Sequence, residues 1–460
     1  MGFFAITVKQ YSAGSLSKLV NGFWSYHFLP VISLAVSTKW KWLPFGKIRV
    51  DCISEGLPRR RIAVSNVDYA SRLEEIQNLV SALEGQTSEL QEAAALDAGF
   101  PVKITSVEVE LAVEYLQTME KEIEWLENGQ PYGTVAAIFP YDAPSVMLAR
   151  LGGSALLTGN RLRFSFSSQT PRTAALIAEM SKPFAAFEPV MGQDNRGFGR
   201  GCVEDKAVRV LFISGASAVG EAYRSQHSAF DKLFFAGPGG MPAAVVFEDA
   251  DAQAASRFIA RRAFINGGQY CTTLKKVLIH RDLYEEVREQ ILEFTGNLTV
   301  GDPFNPETDI GPIRVERTRL ILERALDKCS GARKLAGAIE GERVLPLVLE
   351  MEGGSIPDLE LFGPFLVLKP FDDHETLVQE LTQTKYGFLL AFFGSADGET
   401  ERAFQEHFGM VHDNPDFTFT PLRLPFGGKK ESGWILERQG DGWVERDGAF
   451  LYSKELVRSP

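Results

Sequence analysis

From about residue 65 onward, short apolar strands alternate with helices, and this rhythm limits the fold more than any other feature. Segments 133–140, 162–166 and 208–213 have the length and the aliphatic or aromatic content of buried strands, with helical periodicity between them. A second such stretch begins near Ala243 and runs to about residue 420. Because parallel strands need long crossovers, usually helices, the alternation predicts an α/β fold with doubly wound parallel sheets.

Charge excludes one broad class of partner. The 460 residues include 48 Lys and Arg against 60 Asp and Glu, which gives a formal net charge of −12. A general nucleic-acid binder needs a basic face to replace phosphate counterions, so we expect no nucleic-acid partner. A nucleotide cofactor stays compatible with this balance, because one pair of phosphates needs only a local site.

Cysteine usage and the amino terminus indicate where the protein works. Four cysteines lie far apart, without a CxxC pair or a histidine at metal-ligand spacing, so we expect no metal site and no disulfide framework. This usage favours a reducing, cytoplasmic location. The apolar run at 28–36 is too short to cross a bilayer and Pro30 interrupts it, so no stable membrane span is expected.

A glycine turn between a strand and a helix is the first candidate ligand site. Gly215, Ala216 and Gly220 lie where a strand runs into a helix, and such a helix N-terminus can face a pyrophosphate. The spacing is G-x-x-x-x-G rather than the dinucleotide fingerprint G-x-G-x-x-G. A glycine turn without a ligand is an equally good interpretation of these residues alone.

A cysteine after a glycine-rich turn is the strongest local signal, because such a turn can present the sulfur to a cleft. The turn reads N-G-G-Q-Y-C at Asn266–Cys271, and three further motifs follow it in order. They are V-G-D-P with G-P (Val300–Pro303, Gly311–Pro312), E-L-F-G-P (Glu360–Pro364) and P-F-G-G-K-K-E-S-G (Pro425–Gly433). From about residue 65 to the C-terminus, the chain resembles the aldehyde dehydrogenase superfamily.

The resemblance implies a domain organisation. It assigns an atypical extension to residues 1–55 and a Rossmann-like NAD(P)-binding domain to residues 56–237. It places an α/β catalytic domain at 238–425 and a C-terminal segment with an oligomer-contact strand at 426–460.

The resemblance also implies a reaction. Cys271 would attack an aldehyde as thiolate, pass hydride to a nicotinamide and keep a thioester that water or a thiol releases. Asn266, which opens the nucleophile motif, is counted with the catalytic residues. Glu360 matches the glutamate on the nicotinamide-side ribose, and Phe362 matches the aromatic residue beside the nicotinamide.

Four positions depart from the family pattern. Asp142 stands in place of the oxyanion-hole asparagine, where it could donate a hydrogen bond if protonated or serve as a base. Ser165 and Ser168 replace the lysine and glutamate at the cofactor adenosine ribose. Without that carboxylate, a 2′-phosphate is no longer repelled, and Arg161 and Arg163 lie on the same strand face as Ser165, where they could bind it. The prediction therefore favours NADP slightly over NAD.

Ala236 replaces the glutamate that serves as general base, and an alanine cannot activate water. This opens two alternatives to simple oxidation of an aldehyde. One is a CoA-acylating dehydrogenase or acyl-thioester reductase, in which CoA accepts the acyl group. The other is a catalytically impaired member with a binding or assembly role.

The expected assembly is a homodimer. Only residues 127–132 fill the place where the family inserts an oligomer-contact hairpin, whereas 448–454 resembles the family's edge strand.

Overall fold

The computed structural model describes residues 68–126, 129–215, 217–225 and 231–458. The extension predicted at 1–55 lies outside these residues, as does Ala216. The helices are α1 Tyr69–Gly85, α2 Thr87–Ala98, α3 Val102–Gln117, α4 Pro144–Met147, α5 Ser154–Thr158, α6 Pro171–Ser181, α7 Asn195–Glu204, α8 Ser217–Arg224, α9 Ala252–Phe264, α10 Arg281–Gly296, α11 Glu316–Lys328, α12 His374–Thr382, α13 Gly398–His407 and α14 Tyr452–Glu455. A π-helical turn at Leu148–Gly153 joins α4 to α5, and 3₁₀ turns occupy Met119–Leu126 and Ile265–Gly268.

The strands form two seven-stranded sheets and three small pairs. They are β1 Gln130–Pro131, β2 Thr134–Phe139, β3 Arg161–Phe166, β4 Phe187–Pro189, β5 Val208–Gly215, β6 Leu233–Pro238, β7 Ala243–Val246, β8 Lys276–His280, β9 Arg333–Ala336, β10 Ile339–Glu340, β11 Arg343–Val344, β12 Leu347–Glu350, β13 Phe365–Phe371, β14 Tyr386–Gly387, β15 Leu389–Phe393, β16 Met410–Asp413, β17 Lys429–Lys430, β18 Trp434–Gln439, β19 Gly442–Arg446 and β20 Val457–Arg458. The predicted α/β class with parallel sheets is confirmed.

The first sheet has the strand order β19-β18-β6-β5-β2-β3-β4. Strands β6, β5, β2, β3 and β4 are parallel, whereas β18 pairs antiparallel with both β6 and β19. The chain proceeds from β2 outward through β3 and β4 and then returns to the other side of β2 with β5. This reversal between β2 and β5 is the topological switch point, where open α/β sheets bind ligands at the carboxyl ends of their strands.

The second sheet has the order β16-β15-β7-β8-β13-β12-β9, and only β9 runs antiparallel to its neighbour. Strands β7 and β15 are buried along their whole length, and β8 is buried except at His280, because helices cover both faces. The loop with Cys271 precedes β8, and the loop with Glu360 and Phe362 precedes β13. Since β8 and β13 are adjacent and parallel, both loops lie at the same edge of this sheet.

The carboxyl-terminal segment differs from the edge strand expected at 448–454. Tyr452–Glu455 is a helical turn with Tyr452 and Ser453 buried, and β20 pairs with β1 of the same chain. Ser453 donates to the buried carboxylate of Glu122, which ties this turn to the chain's own core. The side chains that resemble an exposed edge strand are therefore used inside the subunit, and the oligomer-contact strand stays a prediction.

Candidate active site

A single cavity of about 400 Å³ joins the switch point of the first sheet to the Cys271 loop. The carboxyl ends of β2, β3, β5 and β6 contribute Pro140, Ser168, Gly215 and Gly237 to its wall. The edge of the second sheet contributes Cys271, Glu360 and Phe362. Pro140 and Phe362, which are 222 positions apart in the chain, thus line one continuous space.

Backbone geometry fixes the Cys271 loop against the neighbouring loop. Gly268 adopts φ +68°, and a Cβ there would lie 2.1 Å from the carbonyl oxygen of Gly363. The Gly363 N–H donates to the Gly268 carbonyl at 2.8 Å. The buried Lys275 Nζ then donates to both carbonyl oxygens, each at 2.8 Å, and desolvation lowers the pKa of this lysine to about 7. Glycine is required here because the two backbones touch.

The Cys271 sulfur lies in a partly buried setting that favours the thiol. Desolvation raises the pKa of Cys271 above its usual value, and the nearby Asp142 charge adds to this effect. The guanidinium groups of Arg150 and Arg262 act in the opposite direction. The reactive thiolate is therefore scarce until the charge balance around it changes.

Asp142 lies beside Cys271, where its side chain accepts a hydrogen bond. Its side chain is 4% exposed, and Oδ2 accepts the Cys271 N–H at 3.4 Å. Burial raises the pKa of Asp142 to about 6. The carboxylate form prevails above that pH, so the hydrogen-bond donor of an oxyanion hole forms only in more acidic solution.

Glu108 lines the same cavity and was missed by sequence reasoning. It is 4% exposed, and its Oε1 accepts the N–H of Ser145 at 3.0 Å, at the start of α4. Desolvation, together with the nearby Asp142 charge, raises the pKa of Glu108 to about 8. No motif marks this residue. Its one sequence signal is its position four residues before Ala112, which places a glutamate on the buried face of α3.

Two buried guanidinium groups also line the cavity. Arg262 donates to the carbonyls of Thr272 and Thr418 and to the Thr420 hydroxyl, and burial lowers its pKa to about 10. Its Nε has no hydrogen-bond partner among the described residues. Arg150 is 3% exposed and stacks 4.3 Å above the Phe426 ring. Its Nε has no hydrogen-bond partner among the described residues. Arg150 belongs to the π-helical turn, a feature common at functional sites.

The cavity wall near the switch point fits a nicotinamide dinucleotide. A Cβ on Gly215 would meet no atom within 4 Å, and α8 begins two residues later, which leaves its N-terminus beside open space. At the Cys271 end, a Cβ on Gly239 would lie 3.3 Å from the Phe362 ring and 3.4 Å from Glu360 Oε1. A side chain at position 239 would crowd Glu360 and Phe362, so glycine here keeps this part of the wall open.

Several predicted residues lie outside the cavity wall. Ser165 is buried, and its hydroxyl donates to Asn195 Oδ1 at 3.1 Å. Gly220 lies under the Trp434 ring. Asn266 is fully buried, and neither its Oδ1 nor its Nδ2 has a hydrogen-bond partner among the described residues. Of the predicted site residues, the structure brings Cys271, Asp142, Glu360, Phe362, Ser168 and Gly215 together.

Arg163 does not offer the free guanidinium that the prediction of NADP assumes. Its guanidinium pairs with Glu188 at 2.9 Å and with Asp205 at 2.7 Å, so these carboxylates, and not a phosphate, satisfy it. Arg161 lies at the opposite end of β3 from Ser168. The described residues therefore leave the choice between NAD and NADP open.

Ala236 lies on the face of β6 that packs against the first sheet's own helices. It pairs in register with Trp434 of β18 and is buried with Phe198 and Ile213. The cavity at this strand is lined by Gly237 and Gly239, which have no side chain to act as a base. The missing general base is thus a property of the whole loop rather than of one substitution.

The described part of the chain holds neither a membrane-spanning helix nor a metal-binding cluster. No helix in it is both long and apolar enough to cross a membrane. Within the same residues, no group of three or more His, Cys, Asp or Glu side chains is arranged to hold a metal ion.

Comparisons with known proteins agree with this geometry. Residues 59–445 match the sequence profile described as the aldehyde dehydrogenase family. A 3-sulfolactaldehyde dehydrogenase of Priestia aryabhattai is 26% identical over 93% of this chain and 94% of its own length. A lactaldehyde dehydrogenase of Methanococcus maripaludis is 25% identical, with coverage of 82% and 86%. The crystal structure of an oxidoreductase from Marinobacter aquaeolei superposes with a TM-score of 0.76 at 25% identity, over 86% of each chain. The chain belongs to the aldehyde dehydrogenase family, oxidoreductases that act on aldehydes with NAD or NADP.

Proposed function

We propose that this protein oxidises an aldehyde with NAD or NADP through a thioester on Cys271. The observation that supports it best is the single cavity in which Cys271 faces the loop of Glu360 and Phe362 and continues to the switch point. Glu360 and Phe362 would hold the ribose and the nicotinamide, and Gly215 would leave room for the pyrophosphate. When bound, the cofactor supplies the hydride acceptor.

The remaining steps use the chain's own groups. The Cys271 thiolate adds to the aldehyde carbon and forms the carbon–sulfur bond of a thiohemiacetal. Arg150 and Arg262 favour the thiolate electrostatically, because both lower the pKa of Cys271. Loss of hydride from the former aldehyde carbon leaves the thioester, which water or a second thiol then cleaves.

The substrate class that suits Arg150 is an aldehyde with an anionic group. The Arg150 guanidinium is buried in the cavity wall, stacks on Phe426 and has an unbonded Nε. Such a group can donate two parallel hydrogen bonds to a carboxylate or sulfonate. The sulfonate in the name of the Priestia relative is consistent with this chemistry. With an apolar substrate, this buried charge would contact the Phe426 and Tyr452 rings but no anionic group of the substrate.

Transfer to CoA remains the second candidate, because β6 and its loop provide no carboxylate to the cavity. It differs from hydrolysis in one measurable respect. Under CoA transfer, turnover requires free CoA, whereas hydrolysis proceeds without it.

Single-turnover measurements with each cofactor, over neutral and anionic aldehydes, test the proposal. We expect a burst of reduced cofactor of about one equivalent per active site, abolished in Cys271→Ala. Cys329→Ala is a matched control, because Cys329 is a buried free thiol that does not line the cavity. Aldehyde oxidation by Cys271→Ala at the wild-type rate would overturn the assignment. A burst that stalls until CoA is added would select the second candidate.

A further inference from the structure

The cavity contains few groups that could activate water for release of an acyl group. Among the described residues of its wall, the carboxyl groups belong to Glu108, Asp142 and Glu360. Ala236 faces away from the cavity, and Gly237 and Gly239 have no side chain. If a carboxylate assists hydrolysis in this protein, it is one of these three.

Two of the three are poorly placed for that role. Glu360 lies beside Gly239 and Phe362, on the wall that suits the cofactor. Asp142 accepts the Cys271 N–H at 3.4 Å. The backbone N–H of a nucleophile is a usual donor to the acyl oxygen, so Asp142 lies on the side of that oxygen rather than facing the approaching water.

Glu108 approaches from a third direction. It lies on α3, a different element from those that hold Asp142 and Glu360, and its side chain is almost completely buried. The Ser145 N–H holds Oε1 in place at 3.0 Å. The Ser145 hydroxyl and the backbone of Val146 also donate to this carboxyl group. A carboxylate has about four lone-pair sites, so capacity remains to bind one water molecule in the cavity.

We propose that Glu108 is the base that activates water to release the acyl group from Cys271. The inference rests on the proposed function. The water oxygen adds to the thioester carbonyl while one water proton passes to the Glu108 carboxylate. The carbon–sulfur bond then breaks, the acid leaves, and Cys271 departs as thiolate. Glu108 returns its proton to solvent.

The charge environment suits a base that works near neutral pH. Burial raises the pKa of Glu108 to about 8; Asp142, before α4, adds to the rise, and the hydrogen bonds from Ser145 and Val146 oppose it. Tyr270, in the Cys271 loop, also faces this carboxyl group, whose charge raises the pKa of the tyrosine. A general base is most effective when its pKa lies near the working pH. Its basic form increases as the pH rises through about 8, so deacylation should accelerate over that range.

The test separates acylation from release. Glu108→Gln keeps the size of the side chain and an oxygen that accepts the Ser145 N–H, but it cannot take a proton. The matched control is Glu110→Gln on the same helix, an exposed glutamate that bonds Ser106. We expect Glu108→Gln to keep the full burst of reduced cofactor while steady-state turnover falls by about 10²–10⁴-fold. Glu110→Gln should match the wild type in both.

The outcomes distinguish the two levels of inference. If the wild type shows no burst, the proposed function fails, and the role of Glu108 fails with it. If the wild type shows a burst but Glu108→Gln turns over within a few-fold of it, or loses the burst as well, the base assignment alone is overturned. If Glu108→Gln does not fold, the pH profile of wild-type deacylation decides. A rise through about pH 8 supports the base, and a flat profile there overturns it.

Discussion

Replacing Asp142 by asparagine should make Cys271 markedly more reactive. The substitution removes a negative charge whose carboxylate oxygen is 3.4 Å from the Cys271 nitrogen. Because a cysteine sulfur is about 3 Å from its own nitrogen, the charge lies roughly 6 Å from the sulfur. At an effective dielectric constant of about 20, such a pair interacts by roughly 2.8 kcal/mol, or about two pKa units.

The expected result is a pKa of Cys271 about two units lower in Asp142→Asn, measured above pH 6, where Asp142 is ionised in the wild type. A pKa lower by about two units raises the thiolate fraction about 100-fold, whereas the intrinsic nucleophilicity of the thiolate falls about tenfold. Alkylation at fixed pH should therefore accelerate about tenfold. The assay is the rate of iodoacetamide labelling of Cys271, followed by mass spectrometry. Asp441→Asn, an exposed carboxylate in the β18–β19 turn, is the control. An unchanged or slower labelling rate in Asp142→Asn would show that its charge does not control the thiol.

Two other substitutions test the cavity and its support. Arg150→Met should raise the KM for aldehydes with a carboxylate or sulfonate by at least about tenfold, because a charge-assisted hydrogen bond contributes about 1.5–3 kcal/mol. The KM for neutral aldehydes should show little change, whereas kcat should fall for both classes because Arg150 also favours the Cys271 thiolate. An equal rise in KM for both classes in steady-state kinetics would contradict an anion site. Gly268→Ala should destabilise the protein by at least about 1–3 kcal/mol, because its Cβ would lie 2.1 Å from the Gly363 oxygen at a positive φ. Urea unfolding measures this, and unchanged stability would mean that the two loops separate easily.

The fold was largely readable from the chain because its strands are buried on both faces. The apolar runs that predict β2, β3 and β5 need no partner to be recognised, and the helical patterns at 69–96 and 105–127 form α1, α2, α3 and a 3₁₀ turn. The Cys271 loop was equally readable, since a glycine that touches another backbone leaves a local pattern. These features depend on residues that are neighbours in sequence.

The rest depends on which distant residues meet. Arg163 has the spacing of a phosphate ligand, yet packing brings two carboxylates to it. Residues 448–454 have an edge-strand pattern, yet Glu122 and β1 hold this end of the chain against the same subunit. Glu108 lies on an ordinary amphipathic helix, and only the packing of α3 against α4 turns its carboxyl group into the cavity of Cys271. The sequence by itself determined the strands, the helices and the nucleophile loop, because local pattern encodes them. The tertiary structure alone decided which charges surround the sulfur, because burial and electrostatic interaction depend on distances in space.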